Sequence, residues 1–579
     1  MNGSFLKRHL FPLTFGLIVL AYLILFTRLP MDSIWISDEG NRILSTQSYA
    51  LNGNKVLPDP LAGIEDIPSG IRAYPKPYFI KKDGAWRSAY QLLYPWLAAW
   101  FYLLLGNFGV QLIAVLGGLL TVLFAGLLTR DLLQDDRRAC LVMGLCAFGT
   151  PVLFYSGTFL ETTCASAAAL AALHVYFRPG GTKREVLRLL GCGLLTGISI
   201  LFREEGYIFA AGFGLAILLY DFSWKRAFLY GVGAALAVIP LLAYNYLDSG
   251  SIFGMHHAVY STLSHAADSP VIHKMKDYSF YLFLLCLPFW GQLNLYLPWL
   301  MLAGPALPLI PRPKLRQAAE SLYLAAALAA CGASLWCCLN TEHGGVFIFQ
   351  SLLDHVPLFA LFLLNLVLLL RDPRREIRFL SVTVLAGCFL PPMLLNHGQP
   401  GMFWGGRHFL NVVPVMCILS VYLLTESGRV TRAVRAGGWL LVVLSAAANL
   451  AGYGVLSAKR NFSAEYVREI AKPEYQVILT DMFFMPEEMA WISRGKCILL
   501  LTEKNGLDQA REMLRKNGIA RFHLLLGGQY RKISDDSLRR TMAETELKPG
   551  RHFKHPMLGF FECQLAECTF KPQEPRPSR

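Results

Sequence analysis

The sequence predicts a polytopic α-helical membrane protein of about thirteen transmembrane helices with a C-terminal soluble α/β domain. Three observations predict it. Of 579 residues, 54% are hydrophobic and only 16% are charged, and the apolar residues gather in long blocks. Short loops rich in Lys and Arg separate those blocks. Near residue 459 the blocks stop, and short strand-like runs alternate with helical stretches from there on. The net charge of +14 is spread over the short loops, so it reports membrane orientation and not a nucleic-acid partner. Most of the thirteen cysteines lie in or beside apolar runs, where a thiol behaves as a small hydrophobe, so they do not outline a disulfide framework.

The first apolar run, residues 11–27, follows Lys7 and Arg8 and has no small-residue cleavage site behind it, which predicts a retained signal anchor. Further runs lie near 89–105, 110–128, 139–157, 162–177, 189–202, 207–220, 227–246, 280–300, 319–339, 346–370, 379–395, 409–425 and 437–456. Were residues 89–105 to cross the membrane, the six basic clusters from Arg130/Arg137/Arg138 to Arg429/Arg432/Arg435 would all face outward. The positive-inside rule therefore makes 89–105, rich in Tyr and Trp, an interfacial helix. The N-terminus is then cytoplasmic. Residues 1–458, with a long outer loop over 29–88, are expected to form the membrane domain, and residues 459–570 an α/β domain on the outer face. Within the latter, QVILT (476–480), CILLL (497–501) and FHLLL (522–526) alternate with a helix over 507–516, an order that predicts a parallel sheet. No phosphate-binding glycine fingerprint follows any of these strands, and residues 571–579 read as a disordered tail.

On this topology several unusual groups share the outer side. They are Asp38 and Glu39 of the SDEG stretch (37–40) with Arg42 after it, Glu161, Arg203 to Glu205, FGMHHAVY (253–260), NTEHGG (340–345) and MFWGGRHF (402–409). Each has a bland reading: Glu161 as an acid at a helix start, Arg203 to Glu205 as a local ion pair, His256 and His257 as interfacial polar residues. Ionisable groups at membrane depth are costly, however, and six such clusters on one face predict a functional site there.

The acidic pair shortly after the first span, TPVLFYSGTFLE (150–161), YNYLDSGSIFG (244–254) and WGGRHFLNVVP (404–414) together resemble the GT-C-fold glycosyltransferases, notably the protein O-mannosyltransferases and the lipid A aminoarabinose transferases, over most of residues 1–456. The resemblance implies a GT-C-like transmembrane domain, a polyprenyl-phosphate-linked sugar as donor, a key acid in the first outer loop, and a lipid, glycan or protein as acceptor. Membrane lipids are further partners, no nucleic acid is expected, and a bacterial inner membrane is the expected location. Transfer from such a donor requires a carboxylate to take the acceptor's proton, a role that falls to Asp38 in an inverting transfer, with Glu39 orienting the acceptor. The departing phosphate requires fixed positive charge. Arg407 with His408 is the first candidate, and Arg203, Lys76 and Arg42 are further ones. Glu161, Glu205 and Tyr260 are expected toward the acceptor or behind the catalytic groups.

Some relatives neutralise the phosphate with a divalent metal instead, for which Glu161, His256 and His257 are the candidate ligands. No HxxxH or CxxC pair marks a metal site. The sequence departs from the protein O-mannosyltransferases in lacking His-Pro-Pro after the first loop, where AYPKPYF (73–79) stands nearby. The rival reading is a transporter or lipid flippase. Such proteins carry ionisable groups near mid-membrane, whereas here the apolar cores hold few charges.

Overall fold

A computed structural model describes residues 3–75, 78–90, 92–178, 184–255, 284–285, 299–340, 351–394, 404–426, 428–527, 533–555 and 562–572. Seven of the described helices are long and apolar enough to cross a membrane: His9–Phe26, Asn107–Leu133, Glu185–Phe202, Trp224–Ser249, Pro313–Asn340, Arg375–Leu394 and Arg432–Ile470. Shorter apolar helices accompany them, among them Thr162–Phe177, Gly206–Asp221, Leu358–Leu370 and Val413–Thr425. The chain is an integral membrane protein with a C-terminal sheet domain, as the fold class expected.

The chain divides into two compact units. One takes Met1–Leu29 and the stretches between Gln111 and Leu456, and the other takes Pro30–Val110 and Ser457–Arg579. Residues 30–110 thus group with the C-terminal domain and not with the apolar helices, through strand pairing and through helix packing.

In the first unit two expected spans are each broken. Residues 139–157 form the helices Asp136–Phe148 and Val152–Ser156, because Gly149 caps the first and Pro151, which has no N–H to donate, opens the second. The described part of the run 346–370, residues 351–370, likewise separates into Leu352–His355 and Leu358–Leu370 at Pro357. Elsewhere small residues allow close crossing. A Cβ on Gly193 would lie 2.0 Å from the Tyr230 carbonyl oxygen, and one on Gly233 would lie 2.2 Å from that of Leu190. The helices Glu185–Phe202 and Trp224–Ser249 therefore meet backbone to backbone, the packing available where apolar burial alone does not drive association.

In the second unit, β4 (Val477–Thr480), β5 (Cys497–Leu501) and β6 (Arg521–Gly527) are mutually parallel. These are the three expected strands. The sheet is larger than expected, with order β1-β5-β4-β6-β8-β7. β1 (Ile71–Arg72), from the segment after the first apolar helix, pairs antiparallel with β5, so Ile71 faces Leu501. β7 (Thr545–Lys554) and β8 (Glu562–Phe570) add an antiparallel edge, with a register shift where Pro549 cannot donate to the ladder. β2 (Phe79–Lys82) and β3 (Ala85–Ser88) make a separate hairpin.

SDEG does not sit in a loop. It opens the helix Ser37–Asn52, which packs against Leu93–Leu105. That second helix, expected at the interface, buries Tyr94, Pro95, Ala98 and Ala99 and leaves Trp96, Trp100, Leu103 and Leu104 exposed.

Gly193→Ala is expected to lower stability by roughly 1–3 kcal/mol, since the added methyl has no room and the helices must part. Thermal unfolding of the purified protein in detergent measures this, and an unchanged midpoint would refute the backbone-to-backbone crossing.

Candidate active site

Two groups of polar side chains, one in each unit, gather the residues singled out in the sequence. In the second unit the helix Ser37–Asn52 begins after Ile36, which is extended (φ −140°, ψ 163°). Asp38 and Glu39 then occupy the first turn, where unpaired N–H groups and the helix dipole favour anions. Both are buried. The Tyr90 hydroxyl donates to Asp38 Oδ1 at 2.7 Å. One turn on, Arg42 donates from Nη1 to the Asp38 carbonyl oxygen at 2.8 Å and lays its guanidinium 4.5 Å from the Tyr90 ring centre. Tyr78 stacks on the same ring with a 6.0 Å separation. Burial, and then the charge of Asp38, push the Tyr90 phenol well above its ordinary range, so it stays a proton donor toward the carboxylate.

Glu39 accepts from the Trp35 N–H at 3.3 Å. Gly40 is needed for contact: a Cβ there would lie 2.1 Å from the Glu487 carbonyl oxygen, so only glycine lets the first turn lie against the helix Met485–Glu488. Asn41 seals that contact by donating to Glu487 Oε1 at 2.7 Å. Next to it, Glu488 is ion-paired with Lys459 and accepts from Tyr466 at 2.6 Å and Ser463 at 3.2 Å. Glu487, Glu488 and Lys459 were missed in the sequence. Their one signal is the acidic pair in MPEE, which by itself reads as the solvated first turn of a helix.

In the first unit three helix ends converge. Glu161 precedes Thr162–Phe177, Arg203 follows Glu185–Phe202, and Glu205 precedes Gly206–Asp221. All three side chains are buried, and Arg203 lies between the two acids. It donates from Nη1 to Glu161 at 3.0 Å and forks onto Glu205 from Nε at 2.9 Å and Nη2 at 2.5 Å. His408 Nδ1 bonds to the same Glu205 oxygen. Burial pushes the Glu205 carboxyl up, but Arg203 and His408 outweigh it and hold the group well below the usual carboxylate range. Burial lowers His408 to about 4 against the pull of Glu205. Above that pH the imidazole is neutral and donates Nδ1–H to a carboxylate.

The turn that carries His408 is itself cradled. Gly405 has φ +60°, and a Cβ there would strike the His355 ring at 2.2 Å. The Gly406 N–H donates to His355 Nε2 at 3.0 Å. Trp404 stacks on Phe154 with ring centres 5.6 Å apart, and its carbonyl accepts from the Tyr155 hydroxyl at 3.0 Å. The segments TPVLFYSGTFLE and WGGRHFLNVVP are thus one packed feature. His355 was missed because a buried histidine inside an apolar run carries no sequence mark.

Glu161, Arg203, Glu205 and His408, named separately in the sequence, form one cluster, and Arg407 opens the short 3-10 helix Arg407–Phe409 beside it. Arg203, expected to bind phosphate, is engaged by the carboxylates of Glu161 and Glu205. Glu161, expected as a metal ligand, accepts from Arg203. Lys76, His256, His257 and Tyr260 lie outside the described residues. Among the described residues no group of three or more His, Cys, Asp or Glu side chains is arranged to hold a metal ion.

No family model and no curated protein matches the chain. Solved structures do. ArnT from Cupriavidus metallidurans, a lipid A aminoarabinose transferase, matches in the apo state at 12% identity and TM-score 0.51, covering 95% of this chain and 97% of that one. Its complex with undecaprenyl phosphate matches at 11% identity and TM-score 0.50 over the same shares. The chain has the GT-C fold. The archaeal oligosaccharyltransferase AglB from Archaeoglobus fulgidus, in complex with an inhibitory peptide and a dolichol-phosphate, also matches, at 13% identity and TM-score 0.48 over 90% of this chain and 70% of that one. Within this GT-C chain, both polar groups are built from helix ends and the turns beside them.

Removing the Arg203 guanidinium leaves two buried carboxylates without their cation. Arg203→Ala is expected to destabilise by about 3–5 kcal/mol, whereas Glu161→Gln, which keeps an acceptor for Nη1, costs less. Thermal unfolding of both variants ranks them, and equal midpoints would refute the cluster. The His408 value gives a pH signature. A histidine depressed in the fold binds its proton more readily when unfolded, so its contribution to stability is full above about pH 6.5 and is lost as pH falls toward about 4. Thermal midpoints should show that fall in the wild type, and His408→Gln should lose that part of it.

Proposed function

We propose that the protein is a membrane glycosyltransferase that moves a sugar from a polyprenyl-phosphate donor to an acceptor on the outer face of a bacterial inner membrane. The GT-C fold supports this reading, as does the undecaprenyl phosphate bound in the ArnT complex. The observation that carries it is Asp38: a carboxylate in the first turn of a helix, buried and oriented by the Tyr90 hydroxyl at 2.7 Å.

The chemistry is a substitution at the anomeric carbon. The acceptor oxygen forms a bond to that carbon on the face opposite the phosphate, and the bond to the phosphate oxygen breaks with its electron pair, so configuration inverts. Asp38 takes the acceptor's proton as the new bond forms. Tyr90 holds the carboxylate's orientation, and Arg42 fixes both the turn and the ring of Tyr90. Arg407 supplies positive charge to the departing phosphate, where a planar guanidinium matches the oxygens. Its turn is held by His355 and Trp404, and Arg203 acts through Glu205 and His408 as a positioning residue. Glu161 accepts from Arg203, and no step of this scheme is assigned to a metal.

The test is release of polyprenyl phosphate by purified protein from a panel of polyprenyl-phosphate sugars. Asp38→Asn should reduce turnover by about 10²–10⁴-fold with the fold intact. Tyr90→Phe, losing one hydrogen bond to a charged group, should lose about tenfold. No turnover with any donor would overturn the proposal, and equal turnover in wild type and Asp38→Asn would remove Asp38 as the base.

A further inference from the structure

Two adjacent carboxyl groups on the helix Met485–Glu488 are treated differently by their surroundings. Glu488 has a cation, Lys459, and two hydroxyl donors. Glu487 is fully buried, and its one recorded donor is the neutral amide of Asn41, on Oε1 at 2.7 Å. Its Oε2 is buried with no hydrogen-bond partner among the described residues. From the facing helix Ser37–Asn52, the charged groups of that turn are Asp38, Glu39 and Arg42. Asp38 and Glu39 bring two further carboxyl groups, and Arg42 is turned onto the Asp38 carbonyl and the Tyr90 ring. β5, packed behind, brings only Cys497 and aliphatic residues. A carboxylate taken out of water beside a second carboxylate, with an amide for company, is far costlier than a carboxylic acid in the same place.

We propose that Glu487 is a positioning residue for Asp38: as a neutral carboxylic acid it anchors the SDEG turn through Asn41 and leaves the negative charge of this corner on Asp38. The inference deepens the reading of Asp38 as the base and rests on it for its catalytic part. The backbone contact at Gly40 and the Asn41 bond fix Glu487 against the turn. Burial, and then the charge of Asp38, hold its carboxyl well above the usual range, with the Asn41 bond opposing. Ionised, Glu487 would repel Asp38 and favour its protonated form, which cannot accept a proton from an acceptor.

Three measurements on the full-length protein test this. By infrared spectroscopy the wild type at neutral pH should show a protonated carboxyl band that Glu487→Gln lacks. The thermal midpoint of Glu487→Gln relative to wild type should rise with pH. The sign follows from linkage: the unfolded chain releases this proton near pH 4.3 while the native state keeps it, so wild-type stability falls above that value and the neutral variant escapes the fall. Turnover should be retained in Glu487→Gln and about tenfold lower in Glu487→Ala, which cannot hold Asn41. A missing band with a pH-independent midpoint difference would overturn the proposal, as would loss of turnover in a folded Glu487→Gln. Infrared band and midpoints do not depend on turnover, so a wild type that shows both and turns over no donor would overturn the transferase reading alone.

Discussion

The first unit's polar architecture depends on one buried cation. Arg203 sits where three helices begin or end, and a guanidinium in that position must be matched by carboxylates or it would not stay out of water. Its planar fork fits Glu205 with two donors and leaves a third for Glu161, so a single side chain sets the relative positions of three chain segments. The consequences run outward. With Glu205 held ionised, the imidazole of His408 presents its Nδ1–H to it, and the WGGRH turn follows. His355 and Trp404 complete the seat from the other side. Arg407 thus stands on a turn whose neighbours on both sides are fixed.

The second unit shows the complementary arrangement, four acids with Arg42 and Lys459 beside them. Four carboxyl groups lie on two facing helices, and each meets a different partner: a phenol for Asp38, a backbone N–H for Glu39, an amide for Glu487, an ammonium for Glu488. Chemically identical groups are thereby separated by environment. This is how one corner can hold an ionised base and an uncharged anchor within a turn of each other.

Much of this was legible in the sequence, and the failures have physical causes. Apolar blocks gave the helices because a bilayer demands long apolar runs, and SDEG, Arg203 to Glu205 and WGGRH stood out because charge at membrane depth is costly. The breaks at Pro151 and Pro357 were hidden inside runs whose composition stays apolar across them. β7 and β8 were missed because their ladder contains Pro549 and Gly550 and only Phe553, Cys563, Leu565 and Cys568 stand out as buried apolar positions. That β1 joins the C-terminal sheet was not legible, since a two-residue strand has no period to read. Glu487 and His355 were invisible for a different reason: their significance lies in what faces them, more than 400 residues away along the chain for the Asn41 partner of Glu487.

Lys459 and Arg460 show how a charge at the end of an apolar run can be structural. On sequence alone they end the last apolar run and read as a helix terminus near 456. The helix instead continues to Ile470. Both side chains are fully buried in the second unit, Lys459 on Glu488 and the Ile34 carbonyl, Arg460 on Ser33 and the Pro30 carbonyl. A buried cation must be matched by acceptors, and both of these are. Their partners come from residues 30–34, directly before SDEG. The same pairs therefore tie down the chain that leads to Asp38, and the Gly40 and Asn41 contacts hold the helix start from its other side.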